Sequence, residues 1–212
     1  MKVVENFLKI KNTVFLYNKN ATIIVVCKNH KLDLITPLID SGHEHFGENK
    51  VKEADTKWKS LLEVNKKIKL HMIGNMQSNK VDEAVQIFDY VHSLDSEKLA
   101  NKFCNAEKKF DKRLKYFIQV NIGNESQKSG INQNLLPKFL NYCVFELKLN
   151  IIGLMCIPPL GDVAADYFNK LKNLNIENRL QFLSMGMSSD YVEALKSGSN
   201  FIRVGSAIFS AI

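Results

Sequence analysis

The sequence predicts an α/β fold, a (β/α)8 TIM barrel preceded by one extra helix over residues 2–17. Three observations carry this prediction. Short β-rich runs of about five to eight residues alternate along the chain with segments whose apolar residues recur at helical spacing. The runs number eight, at 21–28, 44–48, 69–74, 90–94, 115–122, 149–157, 181–186 and 201–206. The chain has 212 residues with no low-complexity tract or Gly/Ser linker, so residues 1–212 read as a single domain of a size usual for such barrels. An open doubly wound sheet is the alternative.

Taken in order, each helix has its own signature. Val51, Ala54, Trp58, Leu61 and Leu62 form an apolar stripe, as do Val81, Ala84, Val85 and Phe88, and then Leu135, Leu136, Phe139, Leu140 and Cys143. Asp33, Ser78 and Ser96 stand at N-cap positions, and Pro37 lies early enough in its helix to be tolerated. Gly42 and Gly198 read as helix terminators before strands two and eight.

Composition is that of a globular protein, 45% hydrophobic and 24% charged. The N-terminal segment interleaves apolar residues with Lys, Asn and Glu, which argues against a signal peptide, and no stretch reaches membrane-spanning length. Cys27, Cys104, Cys143 and Cys156 have neither Cys-x-x-Cys nor metal-ligand spacing and read as reduced, buried thiols. A cytoplasmic protein is expected. The net charge of +7 comes from lysines scattered over polar positions, a solvated surface rather than a nucleic-acid stripe. No nucleic-acid or membrane partner is expected.

Active sites of such barrels sit at the C-terminal ends of the strands. Lys28, Asn49, Gly74, Asn121, Met155 and Cys156 fall there, followed by the run Ser184 to Asp190 and by Arg203, Gly205 and Ser206. Ser188, Ser189 and Asp190 are expected in the first turn of the helix after strand seven. With Gly205 and Ser206 they would form a phosphate cradle, although serines there also serve simply as caps. Strand alternation turns Val26 and Lys28 inward and Cys27 outward, and it puts Arg203 and Gly205 in the barrel mouth with Ile202 and Val204 under the helices. A guanidinium in that interior needs a partner.

A phosphate, an amine-reactive aldehyde and a ring nitrogen seeking a donor describe pyridoxal 5′-phosphate. Lys28, partly desolvated, would hold it as an imine, and Arg203 would face the ring nitrogen and leave it unprotonated. His43 and His45 could share a strand face as metal ligands, but no third ligand is near in sequence and no metal is expected. Pro158 and Pro159 read as a stiff loop rim. Asn79 and Lys80 read as a solvated first turn.

Ordered segments then point to a family: His45-Phe-Gly-Glu-Asn49, His71-Met-Ile-Gly-Asn-Met-Gln-Ser-Asn-Lys80, Val91-His-Ser-Leu-Asp-Ser96, Gln119-Val-Asn-Ile122, Lys128-Ser-Gly130, Gly153-Leu-Met-Cys-Ile-Pro-Pro159, Ser184-Met-Gly-Met-Ser188 and Arg203-Val-Gly-Ser-Ala-Ile-Phe209. On these the chain, from about residue 21 onward, resembles the YggS/PROSC family of pyridoxal phosphate homeostasis proteins, whose fold is similar to the barrel domain of bacterial alanine racemase. The resemblance implies a Lys28 Schiff base, phosphate contacts from Ser188, Gly205 and Ser206, Arg203 at the ring nitrogen, and Asn49, Met155 and Met187 lining the ring. It also implies a role in cofactor homeostasis and supply to apo-enzymes. Cys27 departs from the serine usual in the family, and the N-terminus is short for it.

Two classes compete: a cofactor-binding protein without catalytic residues, and a racemase using the same cofactor. A racemase needs acid/base groups on both faces of the substrate carbon, one supplied in the similar enzyme by a tyrosine from a second domain and partner chain. Of this chain's tyrosines only Tyr191 approaches the upper rim, so binding is favoured, by a monomer.

Overall fold

The computed structural model describes residues 2–125 and 127–210. Eight parallel strands follow one another around a closed barrel, β8 pairing back onto β1. They are β1 Thr22–Val26, β2 His45–Glu48, β3 Lys69–Met72, β4 Tyr90–Leu94, β5 Lys115–Gln119, β6 Ile151–Met155, β7 Phe182–Met187 and β8 Phe201–Val204. The extra helix, α1, spans Lys2–Tyr17 and buries Val3, Phe7, Ile10 and Val14. The outer ring continues with α2 Leu32–Asp40, α3 Val51–Val64, α4 Val81–Ile87, α5 Glu97–Phe110, α6 Leu136–Asn141, α7 Ala164–Glu177, α8 Tyr191–Lys196 and α9 Ser206–Phe209.

The barrel and its extra helix are thus as the sequence predicts, while several strands end earlier. A barrel strand lasts only as long as its ladder partner: β1 pairs with β8 from Thr22↔Phe201 to Val25↔Val204, so residues 27–28 and 205–206 leave the sheet. Apolarity outlasts the ladder because the loops are covered, as at Ile122 and Cys156, both buried. Local signals misplace some helix starts. Lys31 caps α2, with Asp33 in its first turn, and Pro37 lies in the second turn rather than the first, where it withholds one intrahelical bond. Ser78 opens a 3₁₀ turn before α4. Ser96 caps α5 by position but makes no side-chain capping bond. Of the stripe from Leu135, Leu136, Phe139, Leu140 and Cys143 are buried, the last within a π-helical turn at Tyr142–Glu146 that continues α6, while Leu135 lies in a 3₁₀ turn before α6 and is exposed. Gly42 and Gly198 do end helices, at φ +85° and +95°, where an L side chain would be strained.

Two packing layers result from strand alternation. Val25, Cys27, Phe46, Leu70, Tyr116, Leu154, Ile202 and Val204 point outward under the helices and belong to one continuous apolar layer with the helix stripes. Ile24, Tyr90, Phe117, Met155 and Phe201 point inward as a small aromatic-rich cluster.

Candidate functional site

Lys28 stands in the turn just beyond β1, and α3 pins that turn on both sides. The Cys27 carbonyl accepts from Lys57 Nζ at 2.8 Å, and the Asn29 N–H donates to Glu53 Oε1 at 2.8 Å. Asn29 takes φ +64°, a left-handed conformation that asparagine tolerates better than most residues. Behind the turn, the buried Glu48 carboxylate accepts from Lys57 Nζ at 2.8 Å and from Trp58 Nε1 at 2.9 Å. Lys28 itself is exposed, not partly desolvated, because the turn lifts it clear of the sheet. Cys27 faces the other way: its Sγ lies 3.3 Å from the Val25 carbonyl, and burial, with Glu48 nearby, pushes its thiol pKa well up. It is a packing thiol.

Arg203 enters from β8, opposite Ile24 on β1 and Met187 on β7. It is only 4% exposed. Nη1 donates to Ser184 Oγ at 2.8 Å and Nη2 to the Cys156 carbonyl at 3.0 Å. Among the described residues it forms no ion pair; its partners are neutral dipoles, and burial lowers its pKa. Cys156 contributes its backbone, not its thiol, whose pKa burial pushes up to about 12.

The loops after β7 and β8 meet at Ser188. Its Oγ accepts from the backbone N–H groups of Gly205 and Ala207, each at 3.3 Å. Ser188, Ser189 and Asp190 form the turn before α8 rather than its first helical turn, and Asp190 is the N-cap. Asp190 Oδ1 accepts from the Met187 N–H at 2.5 Å, closing that turn. Gly205 makes a close approach to β1: a Cβ there would lie 3.0 Å from Val26 Cβ and 3.1 Å from its carbonyl oxygen. A bulkier residue would push the loop off the floor of the mouth.

These groups converge. Lys28, Asn49, Met187, Ser188, Arg203, Gly205 and Ser206 line one cavity of about 440 Å³, together with Val26, Ile73, Ile157 and Ser189. Met155 does not line it; inward-facing and buried, it lies in the aromatic cluster, one layer deeper than a strand end implies. Ile73 and Ile157 were missed. Ile73 is two residues beyond the inward His71, so alternation could have found it, whereas Ile157 sits in a loop where alternation no longer applies. A second groove of about 680 Å³ continues across the ends of β2 and β3, sharing Asn49, Ile73 and Ile157.

Other candidates separate from the mouth. Asn121 is occupied within its own loop, bonding the Glu125 carbonyl at 2.8 Å and the Glu125 N–H at 3.1 Å. Lys80 pairs with Glu83 at 2.7 Å. His43 precedes β2 and packs against Phe7 and Phe46 under α1, while His45 turns inward to His71; the two rings do not share a face. Among the described residues no group of three or more His, Cys, Asp or Glu could hold a metal ion.

Comparison with known proteins now bears on this geometry. The family model described as "Alanine racemase, N-terminal domain" matches residues 2–211. A pyridoxal phosphate homeostasis protein of Pasteurella multocida is 32% identical over 199 residues, spanning 89% of this chain and 85% of the relative. The protein of that name from Escherichia coli is 32% identical over 200 residues, covering 90% and 85%. The chain belongs to this family. Among solved structures, PipY of Synechococcus elongatus with PLP bound superposes with a TM-score of 0.89 at 31% identity, covering 98% of this chain and all of that one. Alanine racemase from Bartonella henselae, at 15% identity and a TM-score of 0.77, shares the fold over 58% of its own length. Family membership accounts for the barrel and for the ordered segments that meet at its mouth. Among the described residues, no helix is long and apolar enough to cross a membrane.

Proposed function

We propose that this protein binds pyridoxal 5′-phosphate in the 440 Å³ cavity and serves cofactor homeostasis, keeping the cofactor and supplying it to apo-enzymes, as a cytoplasmic, single-domain monomer. The observation that carries the reading is convergence: an amine from β1, a guanidinium from β8 and the Ser188–Gly205 junction border one cavity. The chemistry of this donor set fits the cofactor. Lys28 Nζ is the amine that condenses with the aldehyde, forming a C=N bond and releasing water. Arg203 is a buried donor that forms no ion pair among the described residues, with the Asp190 carboxylate acting on it only from a distance, and it is suited to an acceptor nitrogen. Ser188, Ser206 and the Gly205 and Ala207 N–H groups hold the phosphate, Ser188 exchanging its present backbone bonds for ligand oxygens. Asn49 and Met187 border the ring, with Met155 beneath. PipY, with PLP bound, and the homeostasis proteins support the cofactor's identity.

When bound, the cofactor supplies an electron sink, and turning that into racemisation needs acid/base groups on two faces of a substrate carbon. Lys28 is the one such group among the residues lining the cavity, which contains no His, Tyr, Asp or Glu. Binding without a dedicated catalytic residue is therefore the reading, and racemisation is the competing one.

The test is an absorbance spectrum of the purified protein with added cofactor, then borohydride reduction and peptide mapping. A yellow protein labelled at Lys28, with labelling lost in Lys28→Ala, is expected. A colourless protein, or a label elsewhere, overturns the proposal; Lys28-dependent racemisation of an amino acid promotes the enzyme instead.

A further inference from the structure

A file of polar side chains runs down the barrel axis beneath the cavity. Arg203 Nη1 donates to Ser184 Oγ at 2.8 Å, and that oxygen lies 2.8 Å from His92 Nδ1. His92 Nε2 is 2.9 Å from His71 Nδ1, and His71 Nε2 is 2.9 Å from His45 Nδ1. One residue from each of β8, β7, β4, β3 and β2 takes part. Arg203, Ser184, His92 and His71 are buried. His45 is partly exposed and borders a separate cavity of about 220 Å³ beside α1, with Phe7, Lys11 and His43.

Counting protons gives this file a direction. A guanidinium only donates, so Ser184 Oγ accepts from Arg203 and has a single proton of its own. Were His92 Nδ1 also to donate to Ser184, the serine hydroxyl would face two donors, and its proton would be stranded in a dry interior. Ser184 therefore donates to His92 Nδ1. The neutral His92 ring then carries its proton on Nε2 and donates to His71 Nδ1, and His71 donates in the same sense to His45 Nδ1. Burial keeps His71 and His92 neutral, and Arg203 adds to the effect on His92. Stacking fixes the ring planes: His71 lies on Tyr90 with centroids 4.2 Å apart, and His92 on Phe117 at 4.4 Å.

We infer that Ser184, His92, His71 and His45 are positioning residues for Arg203. They form a one-way hydrogen-bonded relay, every imidazole in its Nε2–H form, that orients the guanidinium without neutralising it. A carboxylate in Ser184's place would orient the arginine equally well but cancel its charge. Aligned dipoles hold it while leaving a full cation, and its remaining N–H donors, for an acceptor atom in the cavity. The chemistry recognised is an unprotonated heteroaromatic nitrogen; only that identification rests on the cofactor reading above.

Nitrogen-15 NMR of the ligand-free protein reads the relay directly. All three rings are expected in the Nε2–H form. Ser184→Ala should mix the tautomers of His92 and His71 and speed solvent exchange of the Arg203 guanidinium protons at least about tenfold, with Ser184→Thr restoring both. His92→Phe keeps the stack on Phe117 and should mix His71 and His45, which serves if Ser184→Ala does not fold. A proton on Nδ1 of His92 or His71 in the unsubstituted protein overturns the inference, as does unchanged Arg203 exchange in Ser184→Ala. With pyridoxal phosphate added, Ser184→Ala should weaken binding about tenfold and Ser184→Thr should restore it. No cofactor binding by the unsubstituted protein sinks the cofactor reading, while the tautomer pattern still decides the relay.

Discussion

The two faces of the barrel wall obey different rules. Outside, between strands and helices, the side chains are almost wholly apolar, from Val25 and Phe46 to Ile202 and Val204. Inside, aromatic rings surround three histidines, a serine and an arginine joined end to end. The difference teaches a division of labour. The outer layer closes the fold, and the interior gives up part of its apolar burial to keep one cation oriented at the mouth.

The sharpest way to break this comparison is in the outer layer. Trp58 is fully buried, packs against Phe46 with the rings tilted and their centroids 4.9 Å apart, and donates to Glu48. Trp58→Ala should cost about 3–5 kcal/mol in urea unfolding. A loss under about 1 kcal/mol would mean that the outer layer does not carry the fold.

Next in size is the pair beneath the Lys28 turn. Lys57→Met removes the cation beside a carboxylate whose side chain is 0% exposed, and it frees the Cys27 carbonyl. About 3 kcal/mol of destabilisation is expected, because Glu48 is left buried without its ion-pair partner. Lys57→Met/Glu48→Gln should recover much of that loss, and failure to recover would show that the pair acts otherwise.

Acid should find the histidines. Burial lowers the pKa of His43 to about 4, and lowers those of His45, His71 and His92. The unfolded chain takes up these protons near pH 6.5 and the folded chain at lower pH, so unfolding consumes protons. For His43 this stabilisation is full above about pH 6.5 and is lost as the pH falls through that value toward about 4, and the other three act in the same sense. Glu48, Asp95 and Glu107, raised by burial, act in the opposite sense: their contribution is full below their unfolded values and lost as the pH rises through the folded ones. His43 alone should contribute about 1–2 kcal/mol of loss at pH 5 relative to pH 7, after allowance for its partial exposure. His43→Phe should therefore lose less stability between pH 7 and 5 than the unsubstituted protein, and an equal fall of the urea midpoint in both would contradict this.

The smallest effect on stability belongs to the residue with the largest effect on the site. Lys28 is exposed and its side chain makes no hydrogen bond among the described residues, so Lys28→Ala should change stability by less than about 0.5 kcal/mol. Covalent labelling should nevertheless vanish. A large loss of stability in this variant would make Lys28 a structural residue.

Much of the site was readable because it depends on period-two alternation at strand ends. That rule pointed Lys28 and Arg203 into one mouth, turned Cys27 away, and brought Gly205 to the floor. It failed where the ladder stops, as at Ile157 in its loop, and it does not report depth: Met155, still paired within β6, faces inward but lies beneath the mouth. The relay was invisible for another reason. His45, His71, His92 and Ser184 each sit singly in separate segments, and nothing local distinguishes a core histidine from one that bonds its neighbour across the barrel.

The sequence by itself determined the eight-fold alternation, the extra helix and which side of each strand faces inward, since these follow from spacing and local backbone preference. Only the tertiary structure decided which inward residues touch. Closing the sheet sets the stagger between strands, and that stagger alone brings β2, β3, β4, β7 and β8 side chains within hydrogen-bond reach of one another.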